Sequence, residues 1–302
     1  MQTPKIGIVG VGWVGSQLKK YFEELKGYKS GKDLMLFDID KKKCIGDINK
    51  AEIIFVSLPT PRNPKNGSCD VSIVADAVGK IKGQKIVVIK STVTPGTTES
   101  LQKKYPNHKF LFNPEFLSEK TAWHDMLRPD RQIVGFTTKS LDAAHLVLSL
   151  LPKAPFMSPW GIGTYNQVRI TATEAEIIKY AGNVYFAQKV NWANALAKVS
   201  EKMNADYENV RMGMSADHRI GDSHLDVNHG GYRGFGGYCF PKDLSAFMSF
   251  AKEQGIHGVY NLLLGAWKFN EDLLAEQGLT YDDVSRHISE LKIIGKKKKA
   301  KR

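Results

Sequence analysis

Near the N terminus, residues 5–15 have the sequence KIGIVGVGWVG. Residues 5–10 are a short apolar run rich in β-branched side chains, and the amphipathic stretch that follows the glycines ends near Leu25. This pattern predicts a strand, a tight turn and a helix. Residues 10–15 (GVGWVG) also match the G-x-G-x-x-G fingerprint of dinucleotide-binding domains, which occurs at a turn of this kind.

Each glycine of the fingerprint has a physical task. Gly10 permits the tight turn, Gly12 lets the backbone approach a pyrophosphate, and Gly15 allows the helix to pack closely on the strand. The N terminus of the predicted helix, which includes Val14, offers N–H groups and a partial positive charge to phosphates. We therefore predict that these residues bind a dinucleotide cofactor.

A second predicted strand, residues 34–37, ends at Asp38, 23 positions after Gly15. An acidic side chain at that distance accepts hydrogen bonds from the adenosine ribose hydroxyls. Its charge would repel a 2′-phosphate, so we expect the cofactor to be NAD rather than NADP. The alternative is that Asp38 caps a helix or lies in a solvated turn.

Further apolar runs with helical stretches between them continue the pattern. The predicted strands are residues 53–57, 85–91, 109–113 and 132–136, and the predicted helices include residues 71–81 and 98–104. Continuous apolar strands that alternate with helices are typical of a parallel sheet covered on both faces. We expect an α/β protein with an N-terminal Rossmann domain, whose parallel sheet is doubly wound, followed by a long central helix and a small all-helical domain.

The second half of the chain has a different pattern. Residues 173–203 carry apolar side chains at helical spacing, which predicts one long helix. Such a helix is too long for one small domain to cover, so we expect it to form the surface of a homodimer. The remainder, to about residue 288, predicts helices separated by a Gly-rich loop. The predicted domains are residues 1–170 (NAD binding), 171–290 (central helical and dimerisation domain) and 291–302 (disordered basic tail).

Composition and charge narrow the class of protein. The formal net charge is +12, and the last seven of the 302 residues, KKKKAKR, supply six positive charges. Such a run is typical of a solvated tail, with weak contact to an acidic partner or nucleic acid as the alternative. The sequence has no apolar run of the ~18 to 20 residues that span a membrane and no signal-peptide pattern. We expect a cytoplasmic protein with no membrane or nucleic-acid partner.

Cysteine and histidine usage point to an intracellular protein without a metal. The three cysteines are too few and too scattered for a disulfide framework, so one that lies in a motif is a candidate nucleophile. Three histidines and nearby aspartates between residues 217 and 229 do not fit a common structural-zinc spacing. A polar loop is the simpler interpretation of that stretch.

Five segments occur in the order and approximate spacing of the UDP-glucose/GDP-mannose dehydrogenase family. They are LPTP (58–61), STVTPGT (91–97), NPEFLSE (113–119), EIIKYAGN (176–183) and GFGGYCFPKD (234–243). With the glycine fingerprint, the chain resembles this family from residue 5 to about residue 270. The resemblance implies oxidation of the C6 primary alcohol of a nucleotide-linked hexose, such as UDP-glucose, to a carboxylate with two NAD⁺.

The resemblance also implies roles for the residues of the later motifs. Cys239 takes the nucleophile position, where a thiolate can attack an aldehyde, lose a second hydride as a thiohemiacetal, and be released from the thioester by water. Lys179 and Asn183, one helical turn apart, stabilise negative charge on a sugar oxygen. Asp243, in a helix expected to start at Pro241, activates water or orients the lysine. A solvated Lys179 is the alternative.

The remaining site residues follow from the other motifs. In the family, the position of Glu115 binds substrate and that of Glu119 transfers protons with Thr92; which carboxylate is the base stays open. Glu115 and Glu119 are four apart and could share one helical face. The other expected cofactor contacts are Pro59, Thr60, Ser91 and Thr92, and the other expected substrate contacts are Phe116, Leu117, Arg219, Tyr232, Phe235 and Gly236. A surface ion pair is the alternative for Arg219.

Two departures from the family concern the substrate. Typical members continue into a second Rossmann-like domain that binds the nucleotide, and we expect this chain to lack it. Tyr238 stands before Cys239 where a serine is usual. The alternatives are therefore a dehydrogenase with a smaller or different substrate, or a non-catalytic NAD-binding regulatory or interaction protein derived from the family.

Overall fold

A computed structural model describes residues 3–159 and 169–285. The chain forms two compact units. The first contains the residues up to Pro61 together with Asp70–Lys179, and the second contains Arg62–Cys69 and the described residues from Tyr180 onward. The domain boundaries drawn from the sequence stay predictions, and the predicted tail lies outside the described residues.

The first unit is built from alternating strands and helices. Its elements are β1 (Ile6–Val9), α1 (Trp13–Lys26), β2 (Leu34–Phe37), β3 (Ile53–Val56), α2 (Ser72–Gly79), β4 (Ile86–Ile89), α3 (Thr97–Lys104), β5 (Lys109–Phe112), α4 (Ala122–Leu127), β6 (Arg131–Ile133), β7 (Gly135–Phe136), α5 (Leu141–Leu150) and β8 (Phe156–Ser158). The main sheet has the order β2-β1-β3-β4-β5-β7 and is parallel except for β7. The predicted α/β fold of Rossmann type is confirmed.

The apolar strands are buried on both faces of this sheet. In β3, Ile53 and Phe55 pack in one buried cluster, whereas Ile54 and Val56 pack in another. Successive side chains of a strand point to opposite faces, so a strand covered on both sides must be apolar throughout. This explains why the runs 53–57, 85–91 and 109–113 have no polar alternation.

The prediction of a single strand over residues 132–136 is wrong, because the chain changes sheets there. Residues 131–133 form β6, which pairs with β8 in a separate two-stranded sheet, and β7 pairs antiparallel with β5. A Cβ on Gly135 would lie 2.7 Å from the carbonyl oxygen of Thr171. The close approach of this neighbouring segment favours glycine at the point where the two short strands separate.

One long helix, α6 (Ala172–Lys202), begins in the first unit and continues into the second. Its start is a reciprocal cap: the Thr171 backbone N–H and hydroxyl donate to Glu174, and the Glu174 backbone N–H donates to the Thr171 hydroxyl. The prediction of one helix over residues 173–203 is confirmed to within one residue at each end.

The second unit is helical in the part of the chain that the structure describes. After α6 come α7 (Tyr207–Ser215), α8 (Cys239–Glu253), α9 (His257–Ala275) and α10 (Tyr281–Val284). Helices α8 and α9 pack together with α6 around a cluster that includes Val184, Leu244 and Leu263. Residues 216–238, between α7 and α8, form turns and bends with no regular element, and the predicted Gly-rich loop, residues 229–237, lies within them.

Glu176, on the second turn of α6, caps a different helix. Its carboxylate is fully buried and accepts the N–H groups of Gly96 (2.6 Å) and Thr98 (2.8 Å) and the Thr98 hydroxyl (2.6 Å) at the N terminus of α3. Burial raises the pKa of Glu176 to about 7, and the hydrogen bonds from Thr98 and Gly96 oppose that rise. The loop that carries Thr92 is thereby tied to α6.

Replacing this carboxylate should weaken the first unit. We expect Glu176→Ala to lower the free energy of unfolding by about 2 to 4 kcal/mol, because the buried Thr98 N–H and the part-buried Gly96 N–H lose their acceptor. Urea denaturation followed by circular dichroism measures the change. The matched control is Glu24→Ala, at an exposed position of α1, with an expected effect within about 0.5 kcal/mol. Equal effects of the two substitutions would contradict this account of Glu176.

Candidate active site

The glycine loop has the geometry that its sequence predicts. Gly10 has a φ of +91°, and a Cβ there would lie 2.3 Å from the carbonyl oxygen of Ser57. A Cβ on Gly15 would lie 1.9 Å from the carbonyl oxygen of Gly10. Gly12 differs, because a Cβ there would meet no described atom within 4 Å. Two glycines are therefore required by the protein's own packing, and the third leaves open space at the start of α1.

The N terminus of α1 and Asp38 face this loop from two sides. No described side chain caps α1 at Gly12, and its first turn holds no acidic residue. Asp38 accepts the Val11 N–H at 2.6 Å and the Asp40 N–H at 3.0 Å, one on each carboxylate oxygen. A carboxylate oxygen accepts more than one hydrogen bond, so Asp38 keeps capacity for ribose hydroxyls. This arrangement fits a dinucleotide whose pyrophosphate lies on the open side of Gly12.

Hydroxyl groups connect the segments that follow β3 and β4. The Ser91 hydroxyl accepts the Leu58 N–H at 2.8 Å, and the Thr60 hydroxyl donates to the Thr92 carbonyl at 2.7 Å. Thr60 and Ser91 are buried, whereas Pro59 is exposed. These residues lie beyond the carboxyl ends of neighbouring parallel strands, which is where ligands bind in sheets of this kind. Their predicted cofactor contacts stay predictions.

Lys179 and Glu115 form a buried ion pair within the first unit. The Lys179 ammonium donates at 2.8 Å to both the Glu115 carboxylate and the Glu115 backbone carbonyl. It also lies 5.8 Å from the ring centroid of Phe116. The alternative of a solvated Lys179 does not hold, because the side chain is almost entirely shielded from solvent. The structure thus brings two predicted site residues together.

The expectation that Glu115 and Glu119 share a helical face is wrong. Residues 113–118 have no helical hydrogen bonding, and Glu119 lies in a turn. The second carboxylate oxygen of Glu115 accepts the N–H of Leu117 at 2.9 Å, which closes a local turn. Pro114 has no N–H to donate. The loop, and not the repeat of a helix, therefore sets the positions of the Glu115 and Glu119 carboxylates.

Two residues that the sequence analysis did not single out lie beside this pair. Lys90, directly after β4, is buried, and its ammonium donates to the side-chain oxygen of Asn113 at 2.7 Å. Burial lowers the pKa of Lys90 to about 8; Glu115 opposes this shift and Lys179 adds to it. The only sequence signal was position, since Lys90 directly precedes the motif at 91–97 and Asn113 is the first residue of the motif at 113–119.

The second unit contains its own buried polar cluster. The Asn183 amide donates to Asp243 at 2.5 Å, and the Lys242 ammonium also donates to Asp243, whose side chain is only 1% exposed. Burial lowers the pKa of Lys242, but Asp243, Cys69 and Cys239 outweigh that effect and raise it. Lys242 was also missed in the sequence, although it lies inside the motif around Cys239.

Cys239 is exposed and is the first residue of α8. The helix therefore begins two residues earlier than the expected start at Pro241. Cys239 and Asp243 are one turn apart on the helix, as their spacing predicted. A thiol at a helix N terminus near a buried cation is in the kind of environment that stabilises a thiolate. Tyr238, just before it, is also exposed.

The glycine loop before Cys239 is held by hydrogen bonds and apolar packing. Phe235 is buried, and its N–H and carbonyl bond to the Asn270 amide at 2.7 and 3.1 Å. Tyr232 packs against the cluster that contains Leu274, and burial raises the pKa of its phenol to about 12. A Cβ on Gly236 would lie 2.1 Å from the Tyr232 hydroxyl. In this chain the three residues support the loop, and their predicted substrate contacts stay predictions.

Arg219 lies on the surface. It is 78% exposed and pairs with Asp217, to which its Nε donates at 3.0 Å. This is the ion pair that the sequence analysis gave as the alternative. The expected contact of Arg219 with substrate stays a prediction.

Comparisons with known proteins show the family to which the chain belongs. Residues 44–148 match the NAD binding domain of the UDP-glucose/GDP-mannose dehydrogenase family, and residues 173–272 match its central domain. The chain is 30% identical over 296 residues to the UDP-glucose 6-dehydrogenase TuaD of Bacillus subtilis, covering 83% of the chain and 60% of that protein. It is 32% identical over 300 residues to the UDP-glucose 6-dehydrogenase AglM of Haloferax volcanii, covering 83% and 66%.

A solved structure extends the likeness to three dimensions. A UDP-glucose dehydrogenase from Pyrobaculum islandicum superimposes with a TM-score of 0.67 and 26% identity, over 91% of this chain and 71% of that one. The chain belongs to the UDP-glucose/GDP-mannose dehydrogenase family. The predicted family and its cofactor, NAD, are confirmed. Among the described residues, no helix is long and apolar enough to cross a membrane.

The glycine geometry predicts that substitution by alanine causes different defects at Gly12 and at Gly15. Gly12→Ala should leave the thermal unfolding midpoint nearly unchanged and weaken NAD binding by about 10-fold or more, because the new methyl group fills the open side of the loop. Gly15→Ala should lower the unfolding midpoint itself, because its Cβ collides with the backbone at Gly10. Differential scanning calorimetry and NAD titration calorimetry separate the effects. A Gly12→Ala protein that binds NAD as tightly as the unsubstituted chain contradicts the assignment.

Proposed function

We propose that this chain oxidises the C6 alcohol of a nucleotide-linked hexose, such as UDP-glucose, to the carboxylate with NAD⁺. One observation carries the proposal: an exposed cysteine begins α8, one turn before a buried aspartate that binds both a lysine and an asparagine of the family's motifs. The chain spans 60% and 66% of the length of the two curated relatives, TuaD and AglM. The names of these relatives supply the substrate class.

The first oxidation converts the alcohol to an aldehyde. The N terminus of α1 and Asp38 would hold NAD⁺, which would supply the hydride acceptor for C6. Lys179 and Asn183 stabilise the negative charge that develops on the sugar oxygen as its proton leaves, and the ion pair with Glu115 holds the lysine in place. Glu119 and Thr92 are the proposed proton carriers.

The second oxidation requires a covalent step. The Cys239 thiolate attacks the aldehyde carbon and forms a C–S bond, giving a thiohemiacetal. Loss of the hydroxyl proton and of a second hydride from that carbon, for which a second NAD⁺ would be the acceptor, leaves a thioester. Water then cleaves the C–S bond, with Asp243 as the proposed carboxylate that orients or activates it, and the acid is released.

Enzyme assays test the proposal directly. We expect NADH formation with at least one member of a panel of UDP- and GDP-hexoses, and a loss of about 10²-fold or more in Cys239→Ser, because a serine hydroxyl is a far weaker nucleophile than a thiolate. The matched control, Cys44→Ser, should retain activity. NAD binding without turnover of any hexose derivative would instead favour the non-catalytic alternative.

We also propose a homodimer formed through α6. Three large apolar side chains at seven-residue intervals, Tyr185, Trp192 and Val199, are each 58% to 59% exposed. Residues at this spacing lie on one face of a helix, and an exposed apolar stripe is typical of an interface. A two-fold axis would bring the same stripe of a second copy against it, which buries both.

A charge in the middle of this stripe should prevent association. We expect Trp192→Glu to convert a dimer into a monomer, as measured by light scattering after gel filtration, because two desolvated carboxylates would face an apolar surface. Leu262→Glu is the matched control, since Leu262 is equally prominent on α9 at 63% exposure and should leave the dimer intact. A monomeric unsubstituted chain would refute the dimer.

A further inference from the structure

Lys90 is a buried cation for which the family's motifs give no task. It directly follows β4 and is 6% exposed. Its ammonium donates to the side-chain oxygen of Asn113 at 2.7 Å and to the Asn113 carbonyl at 3.4 Å. Lys179 makes the same two kinds of contact with Glu115. Two lysines therefore hold the tripeptide Asn113–Glu115, one at each end.

The orientation of Asn113 is fully determined by its other hydrogen bonds. Its amide nitrogen donates to Gln132 at 2.9 Å and to the carbonyl of Ile133 at 2.6 Å, and the side chain has no exposure to solvent. An amide has two N–H donors and one oxygen acceptor. Both donors are used, so the oxygen must face Lys90. The contact with Lys90 is thus fixed by the core of the first unit.

The charges around Lys90 are unbalanced. The charged groups that face it are Glu115, in the segment after β5, and Lys179, on α6. Two buried ammonium groups share one carboxylate, which is unfavourable for both cations. Burial and Lys179 bring the pKa of Lys90 down to about 8, so its proton is lost in a range where activity is measurable. A neutral donor would satisfy Asn113 at lower energetic cost.

We propose that Lys90 is a positioning residue for Lys179. Its ammonium fixes the Asn113–Glu115 segment and offsets part of the Glu115 charge. The Lys179 ammonium then keeps a net positive field toward a negatively charged substrate oxygen. This inference rests on the proposed function for the identity of that oxygen. The coupling between the two lysines does not depend on it.

The coupling is measured first, without substrate, by NMR titration of the full chain labelled with ¹³C at the lysine ε-carbons. We expect the Lys90 signal to titrate near pH 8. In Lys90→Gln, which keeps an N–H donor for Asn113 but removes the charge, the titration midpoint of Lys179 should move to higher pH. Lys85→Gln, the same substitution at the residue directly before β4, should leave the titration midpoint of Lys179 unchanged. A Lys179 midpoint that is identical in all three proteins overturns the proposal.

Kinetics then separate positioning from a merely structural role. We expect Lys90→Gln to lower kcat by about 10-fold to 100-fold with little change in KM for the sugar. In the unsubstituted enzyme, kcat should fall as pH rises through about 8, because Lys90 then loses its proton. In Lys90→Gln, kcat should show no such fall. A lower unfolding midpoint with an unchanged pH profile would assign Lys90 a structural role only. If the unsubstituted chain turns over no nucleotide sugar, the proposed function fails, and the titration still decides the coupling.

Discussion

A buried ammonium is stable in a protein only beside a carboxylate or several carbonyl oxygens. Glu115 gives the Lys179 ammonium one carboxylate oxygen and one backbone carbonyl oxygen. This contact ties α6 to the segment after β5. The same helix also carries Glu176, which caps α3, and Asn183, which bonds to Asp243. The three positions are three and four residues apart, so they follow one face of the helix. The segments after β4 and β5 and the start of α8 are thus anchored, within their own units, to α6.

The helix can act as this reference because its start is fixed. The capping pair of Thr171 and Glu174 sets where the first turn begins, and every later position follows from the helical repeat. A shift of one residue would turn Lys179 by about 100° away from Glu115. The buried polar contacts therefore help to specify the register of α6.

The features that were predicted correctly are those that depend on local pattern. Continuous apolar runs predicted the parallel sheet, and the glycines at 10, 12 and 15 predicted a loop whose geometry fits their three tasks. The strand switch near Gly135 was missed, because it depends on the approach of Thr171 from far along the chain. The helical face expected for Glu115 and Glu119 failed for a local reason, since Pro114 and the turn between Glu115 and Leu117 replace a helix there.

The residues of the candidate site also divide into those that local motifs identify and those that depend on packing. Sequence motifs located Lys179, Asn183 and Cys239, because motif order survives without knowledge of contacts. The roles of Lys90 and Lys242 could not be found this way, since a buried lysine and a solvated one look alike in sequence. A buried lysine differs from a solvated one in its burial and in the number of nearby carboxylates. These two properties follow only from the packed structure.

We propose that Cys239 allows two successive oxidations of one sugar carbon. The most direct measurement is the ratio of NADH formed to nucleotide sugar consumed at complete conversion, with the product identified by mass spectrometry. We expect about two NADH for each nucleotide sugar consumed, with the carboxylate as the only product. The reason is that the aldehyde stays covalently bound to Cys239 until the second hydride leaves. A ratio of one with free aldehyde, or no NADH at all, would contradict it.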